Sequence, residues 1–303
     1  MAKQTKILTG QVAAITGGAR GIGRAMADAF LREGMRVAIG DLDGDLAQQT
    51  ANELGRGAVA FDLDVTGRAS VERFADAVES ALGPIDVFVN NAGIMALSPL
   101  VEEDDAAAHR MVDINLHGLL YGMKAVLPRM IARNRGHVVN VASQAGKIGF
   151  AGGATYSATK FAVVGLSEAM RTELRLMGAD GVVLSVVMPA IVQTELGGGL
   201  ANPVGQKELT PGDVAEATVE ALRTGRFDVW VPKANAGVYV ATALLPRTGR
   251  EAIGRAMKAD RPLWNIDVAG RRTYELRAAR AEPQLAPGAS AEGDTQRDGA
   301  EAE

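Results

Sequence analysis

Seven short apolar segments, each rich in Val or Ile, alternate along the chain with longer stretches whose apolar residues recur at helical spacing. The segments are 12–16, 36–40, 59–63, 85–90, 137–143, 182–189 and 228–232. Continuous apolar runs of this length are typical of strands that are buried on both faces of a parallel sheet. The helical stretches are 21–33, 43–54, 68–82, 101–133, 155–177 and 213–224. Right-handed crossovers would place these helices on both faces, so we predict an α/β fold with a doubly wound parallel sheet of about seven strands.

The order of these segments also indicates how the chain is divided. No linker or repeat interrupts residues 1–232, which we predict to be a single domain. Residues 233–280 combine an apolar stretch, 235–245, with an Arg-rich helical pattern, and hold ten Lys or Arg against four Asp or Glu. The last segment, 281–303, is acidic and nearly free of apolar side chains, so we expect it to be disordered.

Composition excludes several classes of function. The formal net charge of the 303 residues is −4, so we expect no nucleic-acid partner. The chain has no cysteine and three histidines without ligand spacing, and we therefore expect no metal site. The N-terminus lacks the apolar core of a secretory signal, and no apolar run reaches the roughly 18 residues of a membrane span. We expect a cytoplasmic protein.

A glycine-rich turn, TGGARGIG, follows the first strand and opens the first helical stretch. Gly17, Gly21 and Gly23 allow a tight turn in which backbone N–H groups approach a pyrophosphate at the positive end of a helix. Arg20 and Ile22 lie within the same turn. The position of the turn predicts a dinucleotide site on a Rossmann-type sheet.

An acidic residue at the end of the second strand bears on the choice of cofactor. Asp41 lies 18 residues beyond Gly23, near the spacing at which a carboxylate accepts hydrogen bonds from the adenosine ribose. Such a carboxylate would repel the 2′-phosphate of NADP, so we predict NAD. Arg20 is the basic residue that could weaken this preference, and Asp43 could take the place of Asp41.

The sequence YSATK places a phenol and an ammonium four residues apart at the start of a helical stretch. Tyr156 and Lys160 would lie on one helix face, where both polar ends can converge on one ligand. A free tyrosine has a pKa of about 10, and a nearby positive charge favours the phenolate that proton exchange at neutral pH requires.

With these motifs in order, residues 8 to about 232 resemble the short-chain dehydrogenase/reductase family in its single-domain form. The resemblance rests on the glycine turn and on the sequences DLDVT, NNAG, INLHG, NVAS and YSATK. It implies that further residues contact the cofactor, namely Asp64, Val65, Asn91, Gly93, Val192 and Thr194. One departure is Pro189-Ala190, where the family usually has Pro-Gly.

The resemblance also implies a catalytic set. Tyr156 would be the acid/base, Ser143 would hold the substrate oxygen, and Lys160 would bond the nicotinamide ribose and lower the pKa of Tyr156. Asn115 would hold a water that relays protons. We therefore predict hydride transfer between NAD(H) and a secondary alcohol or ketone. Two alternatives stay open: a catalytically silent dinucleotide-sensing or scaffold protein, and a lipid or steroid reductase at a membrane surface.

The segments beyond the strand ends predict a fairly apolar substrate site. The expected walls are 94–98, 144–153 and 190–205, with Gly197 to Gly199 as a mobile lid. We also expect 235–260 to pack at the mouth of this site. Extended apolar faces on 101–133 and 155–177, which pair between subunits in the family, predict a homodimer or homotetramer.

Overall fold

The computed structural model describes residues 6–200 and 208–256 and, beyond them, Arg271, Tyr274 and Ala278. The predicted tail 281–303, the end of the predicted wall segment 190–205, and most of 257–280 lie outside the described residues. The strands are β1 Val12–Thr16, β2 Arg36–Asp41, β3 Val59–Asp62, β4 Val87–Asn90, β5 Gly136–Val141, β6 Val182–Pro189 and β7 Asp228–Val231.

These strands form one parallel sheet in the order β3-β2-β1-β4-β5-β6-β7. The order reverses between β1 and β4, and the loops after these two strands diverge at their carboxyl ends. Open α/β sheets bind ligands at such a switch point. The predicted fold class is confirmed, and each predicted apolar segment overlaps one strand, with β2 and β5 each extending one residue beyond it.

Helices cover both faces because successive strand residues point to opposite sides. The helices are α1 Gly21–Arg32, α2 Gly44–Leu54, α3 Arg68–Leu82, α4 Asp105–Val112, α5 Gly118–Ala132, α6 Ala154–Leu176, α7 Pro211–Thr224, α8 Ala234–Ala243 and α9 Arg247–Ala256. On one face, α1, α2 and α7 bury residues against Ala13 and Ile15 of β1. On the other face, α3, α5 and α6 pack against Val12 and Ala14.

The helix predicted over 101–133 begins later, at Asp105, and is not a regular α-helix throughout. A 3₁₀ turn at Leu100–Glu102 precedes α4, and a π-helical turn at Asp113–His117 separates α4 from α5. A π turn accommodates one extra residue in the helical ladder, and it often marks a functional site. Here it carries Asn115, which the sequence had singled out.

The described part of the extension after β7 begins with two short helices. Helix α8 packs on β7 through the rings of Tyr239 and Trp230, whose centroids lie 5.2 Å apart. Its apolar side chains Val238 and Val240 are 61% and 59% exposed, and Leu244 is 83% exposed. Among the described residues, none of the helices is both long and apolar enough to cross a membrane.

Candidate active site

A cavity of about 920 Å³ opens at the carboxyl ends of the central strands. It runs from the glycine turn after β1 to the start of α6. The predicted site residues that line it are Gly17, Arg20, Gly21, Ile22, Asp41, Asp64, Val65, Asn91, Gly93, Ser143, Tyr156, Lys160, Val192 and Thr194. Gly23 and Asn115, also predicted, do not line it and lie behind its wall. The structure therefore gathers residues that are up to 177 positions apart in the sequence around one space.

The glycine turn leaves no room for side chains between the cavity and the strands. Gly17 and Gly21 have positive φ angles of 64° and 54°, which L side chains rarely adopt. A Cβ at Gly23 would lie 2.1 Å from the Gly17 carbonyl oxygen. The Asn91 amide donates to the carbonyls of Thr16 and Gly17, both at 2.9 Å, and so braces the turn. Because α1 begins at Gly21 with its N–H groups toward this turn, the site fits a pyrophosphate.

Carboxylates surround the cavity where β2 ends. Asp41 accepts the backbone N–H groups of Ala19 at 3.0 Å and Asp43 at 3.3 Å, so it closes the glycine turn onto β2. Burial raises the pKa of Asp41, while these two hydrogen bonds act in the opposite direction. Asp43 caps α2 by accepting from Leu46 and also pairs with Arg20 at 3.0 Å. The guanidinium of Arg20 also lies 3.6 Å from the carboxylate of Glu195. Its charge is therefore largely balanced by two carboxylates.

The phenol, hydroxyl and ammonium predicted to be catalytic converge at the other end of the cavity. Tyr156 and Lys160 lie in the first turns of α6, with the Lys160 Nζ 5.6 Å from the Tyr156 ring centre. Lys160 donates to the Val141 carbonyl at 3.1 Å. Ser143 follows β5 and accepts the N–H of Ala145 at 3.1 Å. Its loop reaches α6 because Gly146 has no side chain: a Cβ there would lie 2.5 Å from the Lys160 carbonyl oxygen.

Burial dominates the ionisation of this group. It raises the pKa of the Tyr156 phenol, and a hydrogen bond from the Ser143 hydroxyl opposes that rise. Burial also lowers the pKa of Lys160 to about 8. The direction at Tyr156 is opposite to the lowering expected from the sequence. The physical reason is that desolvation of the phenolate outweighs its stabilisation by neighbouring groups of the chain.

Asn115 is positioned behind the cavity by the π turn. It is 1% exposed, and its amide accepts the Ile94 N–H at 2.8 Å and donates to the Ile94 carbonyl at 2.9 Å. A Cβ at Gly93 would lie 3.1 Å from the Asn115 oxygen and 3.5 Å from the Lys160 Nζ. The two side chains therefore flank the same glycine. The contacts in the structure make Asn115 a brace for the loop after β4, and its role in a proton relay stays a prediction.

Beyond Tyr156 the cavity wall is mainly apolar. The large apolar side chains of the predicted wall that line the cavity include Met95, Ile148, Phe150, Ile191, Leu196 and Leu200, and the charged Glu195 also lines it. Met95, Met111 and Tyr156 belong to one buried cluster with Leu97 and Ala145. Lys147 is not part of the wall and pairs with Glu168 at 3.1 Å.

The sequence reasoning placed the wrong part of the extension at the cavity. It predicted 235–260, but the described part of that range, 235–256, does not line the cavity. Asn235 only contacts the lining residue Gln144, by donating to its amide oxygen at 2.9 Å. Instead Tyr274 and Ala278 line the cavity, with Arg271 behind them. These three residues have the spacing of one helix face, which could have indicated that they pack together. The surrounding Arg-rich sequence made this pattern hard to recognise.

Comparisons with known proteins agree with this architecture. Residues 11–203 match the model of the short chain dehydrogenase family. The chain is 38% identical over 237 residues to a sorbitol dehydrogenase of Cereibacter sphaeroides, covering 78% of this chain and 91% of that protein.

Two solved structures are also similar. The first is a short chain dehydrogenase/reductase from Burkholderia phymatum in complex with NAD, with 29% identity, a TM-score of 0.71 and coverage of 77% of this chain and 93% of the other. The second is an alcohol dehydrogenase from the archaeon Thermococcus sibiricus complexed with 5-hydroxy-NADP. Its identity is 29%, its TM-score is 0.64, and 73% of this chain and 95% of the other are covered.

Proposed function

The chain belongs to the short-chain dehydrogenase family of oxidoreductases, and on that premise we propose that it interconverts a neutral, apolar secondary alcohol and its ketone with NAD(H). The observation that carries this proposal is that one cavity joins the glycine turn to the Ser143, Tyr156 and Lys160 side chains. A cofactor held at the turn and a substrate held at Ser143 would share that space.

The chain's own residues hold the substrate oxygen and move its proton. In the proposed mechanism, the Ser143 hydroxyl binds the substrate oxygen beside the Tyr156 phenol, which accepts the proton on oxidation and returns it on reduction. When bound, the nicotinamide supplies hydride transfer and, in its oxidised form, a positive charge. Lys160 adds a buried ammonium near the Tyr156 ring and would bond the nicotinamide ribose. Because burial raises the pKa of Tyr156, positive charge at the site is what would favour its phenolate.

The carboxylates at the end of β2 support a preference for NAD over NADP. Asp41 and Asp43 both line the cavity at the end of β2, and a carboxylate at this position would hold the adenosine ribose hydroxyls and repel a 2′-phosphate. Arg20 could bind such a phosphate only by giving up its ion pairs with Asp43 and Glu195. A phosphate would therefore meet two carboxylates and an already paired guanidinium.

The wall beyond Tyr156 supports an apolar alcohol over a polyol. A buried hydroxyl without a partner costs roughly 1–3 kcal/mol, so a polyol needs several polar groups in the wall. The sorbitol dehydrogenase relative acts, by its name, on such a substrate. Of the described residues of 94–98, 144–153, 190–205 and the extension that line the cavity, most are apolar, and the polar exceptions are Gln144, Gln193, Thr194, Glu195 and Tyr274. We therefore expect apolar secondary alcohols to be better substrates than sorbitol.

A substrate panel and one substitution test this proposal. NADH formation would be followed with 2-propanol, 2-octanol, cyclohexanol and sorbitol. Tyr156→Phe removes the titrating oxygen but keeps the ring, so turnover should fall by at least about a thousandfold with NADH binding retained. Tyr239→Phe, on α8 outside the cavity, is the matched control. A higher kcat/KM for sorbitol than for 2-octanol would refute the apolar substrate, and near-normal turnover of Tyr156→Phe would refute the acid/base.

We also propose a homo-oligomer, because α6 carries apolar side chains such as Phe161, which is 46% exposed, and Leu176, which is 79% exposed. Light scattering at micromolar concentration should give a dimer or tetramer, and a monomer would contradict the proposal.

The exposed apolar side chains of α8, followed by the exposed arginines of α9, favour a second candidate, contact with an anionic membrane surface. Flotation with anionic vesicles should then be lost when Val238 and Leu244 are replaced by Ser. Equal flotation of the wild type and this variant would reject the candidate.

A further inference from the structure

We propose that Arg271, Tyr274 and Ala278 of the C-terminal extension close the substrate end of the cavity, with Tyr274 as a specificity-determining wall residue and Arg271 as the positioning residue that fastens the lid. We call Leu196–Gly198 the lid and Ile94–Met95 the β4 loop. The substrate tests below rest on the proposed function, whereas the contacts of Arg271 and Tyr274 are independent of it.

Arg271 ties the lid to the β4 loop. Its guanidinium donates to the carbonyls of Leu196 at 2.8 Å and Gly198 at 2.6 Å, and to the carbonyl of Met95 at 3.1 Å. The residue is 1% exposed and has the largest fully buried side chain among the residues that the structure describes. Burying a guanidinium is costly unless its donors are satisfied, so its depth here depends on these carbonyls being in place. The planar fork of an arginine can reach two loops at once, which the single nitrogen of a lysine does less well.

Tyr274 fills the space between this clamp and the catalytic phenol. Its hydroxyl oxygen accepts the Met95 N–H at 3.0 Å, and its ring lies 5.0 Å from the Arg271 guanidinium. Tyr274 lines the cavity together with Ala278. It also contributes to the raised pKa of Tyr156, so the two phenols are close enough to interact electrostatically. A substrate bound at Tyr156 would therefore meet the Tyr274 ring.

The sheet order explains what this clamp covers. The β4 loop and the lid follow β4 and β6, and β5 lies between these strands. Ser143 stands just beyond the end of β5, so Arg271 spans the position where the substrate oxygen would bind. Because the wall on that side comes from the extension, the extension should set how much apolar substrate the site holds. A small alcohol would occupy the space beside Ser143 and would scarcely reach Tyr274.

Substrate discrimination tests the specificity role in the full-length enzyme. The measured quantity is the ratio of kcat/KM for 2-octanol to that for 2-propanol. Tyr274→Ala should lower this ratio by about tenfold, mainly through KM for 2-octanol, because the larger alcohol loses apolar contact. Arg271→Met should lower it in the same direction, and Arg271→Lys should lower it less. The Kd of NADH should change by less than about twofold, because the glycine turn lies at the other end of the cavity.

The matched controls lie in the same extension but outside the cavity. Arg247→Met removes an arginine side chain that is 87% exposed, and Tyr239→Ala removes a ring that stacks on Trp230. Both should leave the substrate ratio unchanged. An equal fall in kcat/KM for both alcohols in the Tyr274 and Arg271 variants would overturn the specificity role, because general destabilisation of the enzyme lowers its activity toward both substrates alike.

Hydrogen–deuterium exchange tests the clamp without any turnover. In Arg271→Met, peptides covering 93–98 and 194–200 should exchange about tenfold faster than in the wild type. The milder variant Tyr274→Phe removes the acceptor of the Met95 N–H, so only the peptide covering 93–98 should exchange faster. A peptide covering β6 should not change. Unaltered exchange in 93–98 and 194–200 would overturn the clamp even if the enzyme is active. Faster exchange in a protein that binds no NADH would support the clamp and refute the proposed function instead.

Discussion

A buried histidine near the start of an interior strand should make the stability of this protein fall as the pH falls. His137 lies in β5 and is 4% exposed, with its Nε2 2.8 Å from the Ser185 hydroxyl oxygen on β6. Ser185 donates its own proton to the Arg226 carbonyl at 2.5 Å, so its oxygen accepts from His137 and the imidazole is the neutral Nε2–H form. Protonating it would place a positive charge inside the core. Burial, with a smaller effect of Lys6, lowers the pKa of His137 from 6.5 to about 3.

The sign and size of the effect follow from these two pKa values. At pH values between the two pKa values, His137 binds a proton in the unfolded chain but not in the folded chain. Its contribution to the free energy of unfolding is therefore complete above the unfolded pKa and is lost as the pH falls toward the folded pKa. For a pKa shift from 6.5 to about 3, linkage lowers the free energy of unfolding at pH 5 by about 2 kcal/mol relative to neutral pH. The upper limit of this loss, reached below the folded pKa, is about 5 kcal/mol. Either value is a large part of the free energy of unfolding of an ordinary domain.

Reversible denaturant unfolding at fixed protein concentration measures this loss. The free energy of unfolding of the wild type and of His137→Gln would be compared at about pH 7.5 and about pH 5. Glutamine retains an N–H donor but cannot take up the proton, so its stability should fall by about 2 kcal/mol less over this interval. Val139→Ala is the control, because it truncates a buried side chain of the same strand that cannot titrate and should lower the free energy of unfolding equally at both pH values. Parallel curves for the wild type and His137→Gln would refute the reasoning.

Two further predictions concern the cofactor site. Asp41→Ala should narrow the preference for NAD over NADP in kcat/KM by about tenfold, because a repulsive carboxylate is removed; a wild type that prefers NADP would contradict the assignment. Gly23→Ala should weaken NADH binding by at least about tenfold in a fluorescence titration, because its Cβ would meet the Gly17 carbonyl oxygen at 2.1 Å, a backbone atom that cannot move without distorting the turn. Gly237→Ala, where a Cβ meets nothing within 4 Å, should bind NADH normally, and normal binding by Gly23→Ala would disprove the argument.

The sequence by itself determined the order of strands and helices and the place of the glycine turn. These features depend on local physics. A strand buried on both faces, such as β6, must be mainly apolar, and Gly17 adopts a φ that other residues rarely take. The spacing of Tyr156 and Lys160 is likewise a property of one helix. Such signals depend only on short stretches of sequence and could be recognised without knowledge of the fold.

Other features of the candidate site were decided only by the tertiary structure. The π turn that sets Asn115 against the Ile94 backbone, 21 residues away, interrupts a stretch whose apolar spacing indicates a continuous helix. The direction of the pKa shift of Tyr156 depends on how deeply the assembled core buries it. Arg271 and Met95 are 176 residues apart in the chain, and no local pattern indicates that they touch. Their contact exists because the sheet order places the loops after β4 and β6 on either side of β5, where one guanidinium can reach both.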